Sequence, residues 1–133
     1  MADKLCTVPL FAELERDHVH AIARLVEQFE VDAGYVLIHA GAVGSGMFLI
    51  EEGSVTVSIP DREIELGPGE IVGELSLLDE RAKHVSRVRT KTPVKGYAIS
   101  RDAFNQLLHD EPRIALPMLR VLASRLVNVL THH

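Results

Sequence analysis

Apolar residues change their spacing twice along this chain. Over residues 9–28 they recur every three or four positions. Val19, Ile22, Leu25 and Val26 share one helical face. Val8-Pro9-Leu10-Phe11 precedes them as an apolar plug, one helical turn opening at Pro9, and Asp17 is a suitable N-cap for the helix that follows. Over residues 29–100 short runs of Val, Ile, Leu and Tyr take over, and the pattern predicts strands at 35–39, 47–51, 54–59, 63–66, 71–72, 85–91 and 94–99. Turn residues separate them at 32–34, 41–46, 52–53, 60–61 and 67–69. Helical spacing returns over residues 101–131. Ser100 caps a helix through Ala103, Phe104, Leu107 and Leu108. Pro112 opens a second helix, in which Pro117 has to kink or loosen the first turns. Beyond it Leu119, Leu122, Leu126 and Val129 recur at three-four-three spacing, a seam that suits either packing on the strands or pairing with a second copy.

Many short strands at regular spacing argue for a compact antiparallel barrel or jelly-roll, mainly β with flanking helices. The expected layout is one domain over 1–133: a lead-in at 1–8, helices at 9–28, a β-roll at 29–100 and helices at 101–131. A length of 133 residues suits one domain with a real core. Composition removes several function classes. The net charge of -5 offers no general attraction to nucleic acid or to an anionic membrane. Cys6 is the single cysteine, so neither an internal disulfide nor a cysteine metal site is expected, and a half-buried place is. No apolar run approaches ~20 residues and no signal-peptide pattern opens the chain, which makes the cytoplasm the expected location. His18 and His20 are two apart and cannot share a helix face, so exposure is expected of both. His39, His84 and His109 are scattered, with no His-x-His on a strand. Asp79-Glu80 reads as a solvated loop. Without a metal cluster or a nucleophile beside a base, an enzyme is not expected.

One stretch concentrates candidate chemistry, Gly69-Glu70-Ile71-Val72-Gly73-Glu74-Leu75-Ser76-Leu77-Leu78. An apolar pair meets Gly73, and a short helix-like run then opens with an acid. Glycine lets a ligand approach the main chain. A helix start offers unpaired N–H groups that suit a phosphate. A carboxylate at the same place, Glu74, repels phosphate but accepts hydrogen bonds from a sugar hydroxyl. Together they read as a candidate nucleotide site.

Two stretches carry a family resemblance. Leu37-Ile38-His39-Ala40-Gly41-Ala42-Val43-Gly44, running on through Met47-Phe48-Leu49-Ile50 to Gly53, resembles the first signature of cyclic-nucleotide-binding domains. Gly73-Glu74-Leu75-Ser76-Leu77 resembles the start of their phosphate-binding cassette, here 73–84. The similarity runs from about Leu10 to Leu130 and is closest to the sensor half of bacterial catabolite-activator-like proteins. It implies an eight-stranded antiparallel β-roll with N-terminal helices, a cassette helix and two C-terminal helices. It also implies cyclic AMP or cyclic GMP as ligand, with no other cofactor. The resemblance gives Glu74 the ribose 2′-hydroxyl and the amides at Leu75 and Ser76 the cyclic phosphate.

The family's cassette ends in an arginine that pairs with the phosphate, followed by small residues. Anchoring on Val88-Arg89-Thr90-Lys91-Thr92 puts His84 at the arginine position and Val85 and Ser86 at the small ones. Anchoring on Arg81-Ala82 makes Arg81 the phosphate ligand and shortens the loop. In the first register strand alternation puts His84, Ser86 and Val88 on one face, with Arg87 and Arg89 on the other. Val129 and Leu130 stand where relatives supply hydroxyls to the base. The expected function is therefore a regulatory sensor that binds its nucleotide weakly or not at all. The alternative is a protein-interaction or dimerisation module of the same fold, pairing through the last helix. A DNA-reading module would begin where this chain stops, so a stand-alone sensor and a piece of a longer protein both remain open. The effector is not read from the sequence, and contact with nucleic acid or membrane is not expected.

Overall fold

The computed structural model describes residues 1–39, 46–78 and 87–131, with only the backbone for Leu75 and Ser76. Two compact units emerge, one from Met1–Leu25 with Gln106–His133 and the other Val26–Asn105.

The second unit is the β-roll. Its strands are β1 (Glu27–Val31), β2 (Val36–Ile38), β3 (Gly46–Glu52), β4 (Val55–Ile59), β5 (Arg62–Leu66), β6 (Ile71–Val72), β7 (Arg87–Thr90) and β8 (Val94–Ser100). They form two four-stranded sheets, β1-β8-β3-β6 and β2-β7-β4-β5, and every pairing is antiparallel. Ile38, Ile50, Val55, Val72, Val88 and Val94 form a buried cluster, and Phe29, Val31, Leu37, Phe48, Val57 and Leu66 pack against it. The sequence explains each strand's place. Met47, Leu49 and Ile50 of β3 are all buried, so this apolar run is covered on both faces. In β7 Val88 and Thr90 turn inward while Arg87 and Arg89 are exposed, a plain alternation of period two. Strand β5 lies at a sheet edge with Arg62, Glu63 and Glu65 exposed, charges that discourage edge-to-edge pairing.

Gly96 in β8 shows why a strand needs a missing side chain. A Cβ there would overlap the Leu49 carbonyl and come within 2.9 Å of the Phe29 ring. The Phe29 ring instead meets Phe48 edge-on, with centroids 5.5 Å apart. Such a pair contributes ~1 kcal/mol beyond its burial.

The first unit is helical: α1 (Ala2–Leu5), a turn at Pro9–Phe11, α2 (Arg16–Ala23), the end of α3 (Arg101–Asp110), a turn at Pro112–Ile114 and α4 (Ala115–Thr131). Helix α1 packs on α2, and α4 packs on both turns. The turn at Pro9 and the Ser100 cap agree with the sequence: the Ala103 N–H donates to Ser100 Oγ at 3.1 Å.

Several expectations need correction. The first eight residues are no bare lead-in, because Leu5 and Val8 are each 1% exposed. Cys6, between them, faces outward and is exposed rather than half-buried. The N-cap of α2 is Glu15, with no side-chain cap bond, and Asp17 lies inside the first turn. His20 is exposed as expected, but His18 is not. Its Nδ1 is buried with no hydrogen-bond partner. The loosening at Pro117 takes the form of the tight turn at Pro112–Ile114 ahead of a continuous α4. The membrane argument from apolar runs also changes. Pro112–Thr131 has the length and mean hydropathy, 1.4, of a membrane-crossing helix by composition alone, although Arg120 and Arg125 interrupt its apolar run. The seam stays uncovered: Leu119 is 60%, Leu126 59% and Val129 64% exposed, with only Leu122 half-buried.

Candidate functional site

Strand β6 ends at Val72, which is 8% exposed and paired with Phe48 of β3. The chain then leaves the sheet at Gly73, whose φ of +78° lies in the left-handed region that favours glycine. One tight helical turn follows, Glu74–Leu77, and its last residue is fully buried. Two fixed points therefore hold the turn: the β3–β6 pairing before it and the Leu77 side chain at its end. Glu74 stands half-buried between them. A single turn has a weaker dipole than a full helix, so any pull on an anion here is local to the turn rather than that of a macrodipole.

Gly73 and Glu74 occupy the strand-to-turn junction, and the backbone of Leu75 and Ser76 forms the turn itself. Arg81, His84, Val85 and Ser86 lie outside the described residues, as do the Gly41–Gly44 part of the first signature and Asp79-Glu80. Arg87 and Arg89 lie on the outer face of β7, as strand alternation predicts. Arg89 Nε donates to the Gly34 carbonyl at 3.2 Å, which ties it to the β1–β2 turn. Val129 and Leu130 are both exposed on α4.

One contributor escaped the sequence reading. A Cβ on Gly73 would come 2.6 Å from the Gly46 carbonyl oxygen and 3.5 Å from Met47 Cα and Ile38 Cδ1. The cassette turn thus begins in direct backbone contact with the start of β3. The signal available was a glycine immediately before the apolar run of β3.

A different cleft, of about 460 Å³, lies on the first sheet, and its charged lining is Glu30, Glu51, Glu52 and Lys95. Three carboxylates against one ammonium make it a poor receptor for an anion. Among the described residues no cluster of His, Cys, Asp or Glu could hold a metal ion.

The roll is thus two antiparallel sheets that carry a glycine-initiated turn and a half-buried acid. The family model described as "Cyclic nucleotide-binding domain" matches residues 28–111, and the chain belongs to that family. It is 37% identical over 123 residues to a cyclic nucleotide-gated potassium channel of Rhizobium etli, covering 91% of this chain and 34% of the channel. It is 29% identical over 132 residues to a CRP-like cAMP-activated global transcriptional regulator of Mycobacterium tuberculosis, covering 95% of this chain and 58% of the regulator. Among solved structures, the N-terminal domain of a transcriptional regulator from Streptomyces coelicolor superposes with a TM-score of 0.79 at 28% identity, over 94% of this chain and 90% of that one. The chain is thus a regulatory cyclic nucleotide-binding domain, and it spans about a third of the channel and under two thirds of the regulator.

Proposed function

We propose that the cassette binds cyclic AMP or cyclic GMP weakly, with Glu74 on the ribose 2′-hydroxyl, the amides at Leu75 and Ser76 on the cyclic phosphate, and His84 in place of an arginine as the phosphate's side-chain partner. The observation that carries this reading is the junction itself: a left-handed Gly73 followed at once by a half-buried carboxylate on a fixed turn. Two relatives of this chain are named for cyclic nucleotides, one as cAMP-activated and one as nucleotide-gated, which supports the choice of ligand class. The weakness follows from His84. A neutral imidazole offers one donor and no charge, whereas a guanidinium offers a bidentate charged fork. Losing a charge-assisted contact of that kind costs about 2–5 kcal/mol, or roughly thirty- to several-thousand-fold in affinity. The domain acts by binding rather than catalysis, in the cytoplasm, on an effector elsewhere in its own or another chain.

The test is isothermal titration of both nucleotides at pH 5.5 and pH 8, with His84→Arg alongside. A protonated imidazole at His84 is the form that attracts phosphate, so tighter binding is expected at pH 5.5 than at pH 8. Micromolar binding at both pH values would transfer the phosphate role to Arg81. A silent wild type beside a binding variant would leave an intact pocket without its anion anchor. Silence in both would remove the nucleotide reading.

A second reading rests on α4. Its exposed Leu119, Leu126 and Val129, with Leu116 at 54% and Leu130 at 62%, suit pairing with a second copy along the helix. Nucleic acid is not assigned as a partner, since the chain carries a net charge of -5.

A further inference from the structure

Gly46 lies between two other stretches of main chain. It opens β3 opposite Ser100 of β8, and a Cβ at this position would overlap the Ile99 carbonyl. On its other side its own carbonyl oxygen stands 2.6 Å from where a Cβ on Gly73 would be. Three backbones therefore meet with no side chain between them: β8, the start of β3, and the residue that turns β6 into the cassette. The β3–β6 register agrees. With Phe48 opposite Val72, the next step places Gly73 over Met47, and the Gly73 Cβ position is 3.5 Å from Met47 Cα.

We infer that Gly46 is a positioning residue for the cassette: its carbonyl is the seat against which Gly73 stops, and it thereby sets where Glu74 and the following amides stand. The inference rests on the nucleotide reading for its effect on affinity, though not for the contact itself. Ordinary contact for a Cβ begins near 3.4 Å, so a side chain on Gly73 has to move the two backbones apart by about 0.8 Å. Hydrogen bonds to a ligand weaken over displacements of that size, and a misplacement of ~1 Å can cost up to a hundredfold.

The test compares wild type with Gly46→Ala, Gly73→Asn and Gly53→Ala. Asparagine tolerates a positive φ, so Gly73→Asn adds the Cβ while relieving most of the backbone cost. Gly53 supplies a matched control. It has φ +91°, a Cβ there would overlap the Pro93 carbonyl, and it follows the far end of β3, roughly 20 Å away. Two readouts are taken on variants that remain folded by circular dichroism: the dissociation constant for cyclic AMP, and hydrogen exchange at the amides of 74–77 in ligand-free protein.

Gly46→Ala and Gly73→Asn are expected to weaken binding by tenfold or more and to accelerate exchange at 74–77. Gly53→Ala is expected to leave both readouts within twofold. Equal effects from Gly53→Ala would reduce the contact to general stability and overturn the inference. Unchanged exchange at 74–77 in Gly46→Ala would overturn it too. If wild type does not bind cyclic AMP, the nucleotide reading fails separately, and exchange alone decides the seat. Gly46→Ala shifts the seat indirectly, by pressing on the Ile99 carbonyl of β8, whereas Gly73→Asn presses on the Gly46 carbonyl itself, so if Gly46→Ala does not fold Gly73→Asn alone decides the contact.

Discussion

Replacing Thr90 by valine keeps the side chain's shape and removes a hydroxyl on which a whole turn depends. Thr90 is 2% exposed at the end of β7, the strand that returns the chain from the cassette to the sheet. Its Oγ1 accepts the Tyr35 N–H at 2.8 Å and donates to the Asp32 carbonyl at 2.7 Å. The main chain doubles the link, with the Gly34 N–H donating to the Thr90 carbonyl at 2.7 Å and the Thr90 N–H to the Tyr35 carbonyl at 2.8 Å. Thr90→Val deletes the two side-chain bonds and strands a part-buried amide and carbonyl. Each bond contributes ~1 kcal/mol net, and a stranded partner costs more, so the loss should be about 1.5–3 kcal/mol. For a chain of this size that corresponds to a fall in Tm of roughly 6–12 °C. Urea unfolding measures it directly, as a lower midpoint at an unchanged slope. Thr90→Ser, which keeps the hydroxyl, should recover most of the loss. A Thr90→Val variant within 0.5 kcal/mol of wild type, or a Thr90→Ser variant as weak as Thr90→Val, would refute the assignment of stability to these bonds.

Two further outcomes follow from other elements. Ser100→Ala removes the side-chain bond to the Ala103 N–H at the start of α3 and should cost ~1 kcal/mol in the same urea assay. Leu119→Gln with Leu126→Gln alters two residues about 60% exposed, so unfolding free energy should move by less than about 0.5 kcal/mol. If α4 pairs with a second copy, sedimentation velocity should show wild type self-associating and the double variant shifting to monomer; identical profiles would count against pairing.

Most of the β-roll was legible because strands and turns leave local marks. The exception is β1: helical spacing through Leu25 and Val26 extends the expected helix to residue 28, whereas α2 ends at Ala23 and β1 already runs over Glu27–Val31. Alternation in Arg87-Val88-Arg89-Thr90 and the apolar run Met47-Phe48-Leu49-Ile50 each report burial on one face or two, and glycines or prolines punctuate them. The Gly73-Glu74 junction was legible for the same reason, as a strand signal meeting a turn signal. Where the reading failed, tertiary packing had overridden a local preference. Asp17 is a good cap by residue type, but the helix starts two residues earlier, from Arg16, with Val19 and Ile22 turned inward. Cys6 is apolar enough for the core, yet Leu5 and Val8 already fill the inward positions. The Gly46–Gly73 seat joins residues far apart in the chain, and no spacing rule connects them. Arg81 and His84 stayed alternatives because loop length, unlike strand alternation, has no period from which a register can be counted.

On this reading, ligand chemistry resides at the junction of β6 and the cassette turn. The most direct test is a two-dimensional amide NMR titration of the protein with cyclic AMP, raised to millimolar concentration so that weak binding registers. Saturable shifts centred on Gly73, Glu74, Leu75 and Ser76, their neighbours on β3 and the His84 amide, lost in Glu74→Ala, are the predicted result. Saturable shifts centred instead on Glu51, Glu52 and Lys95, or no saturable shift at all, would contradict it.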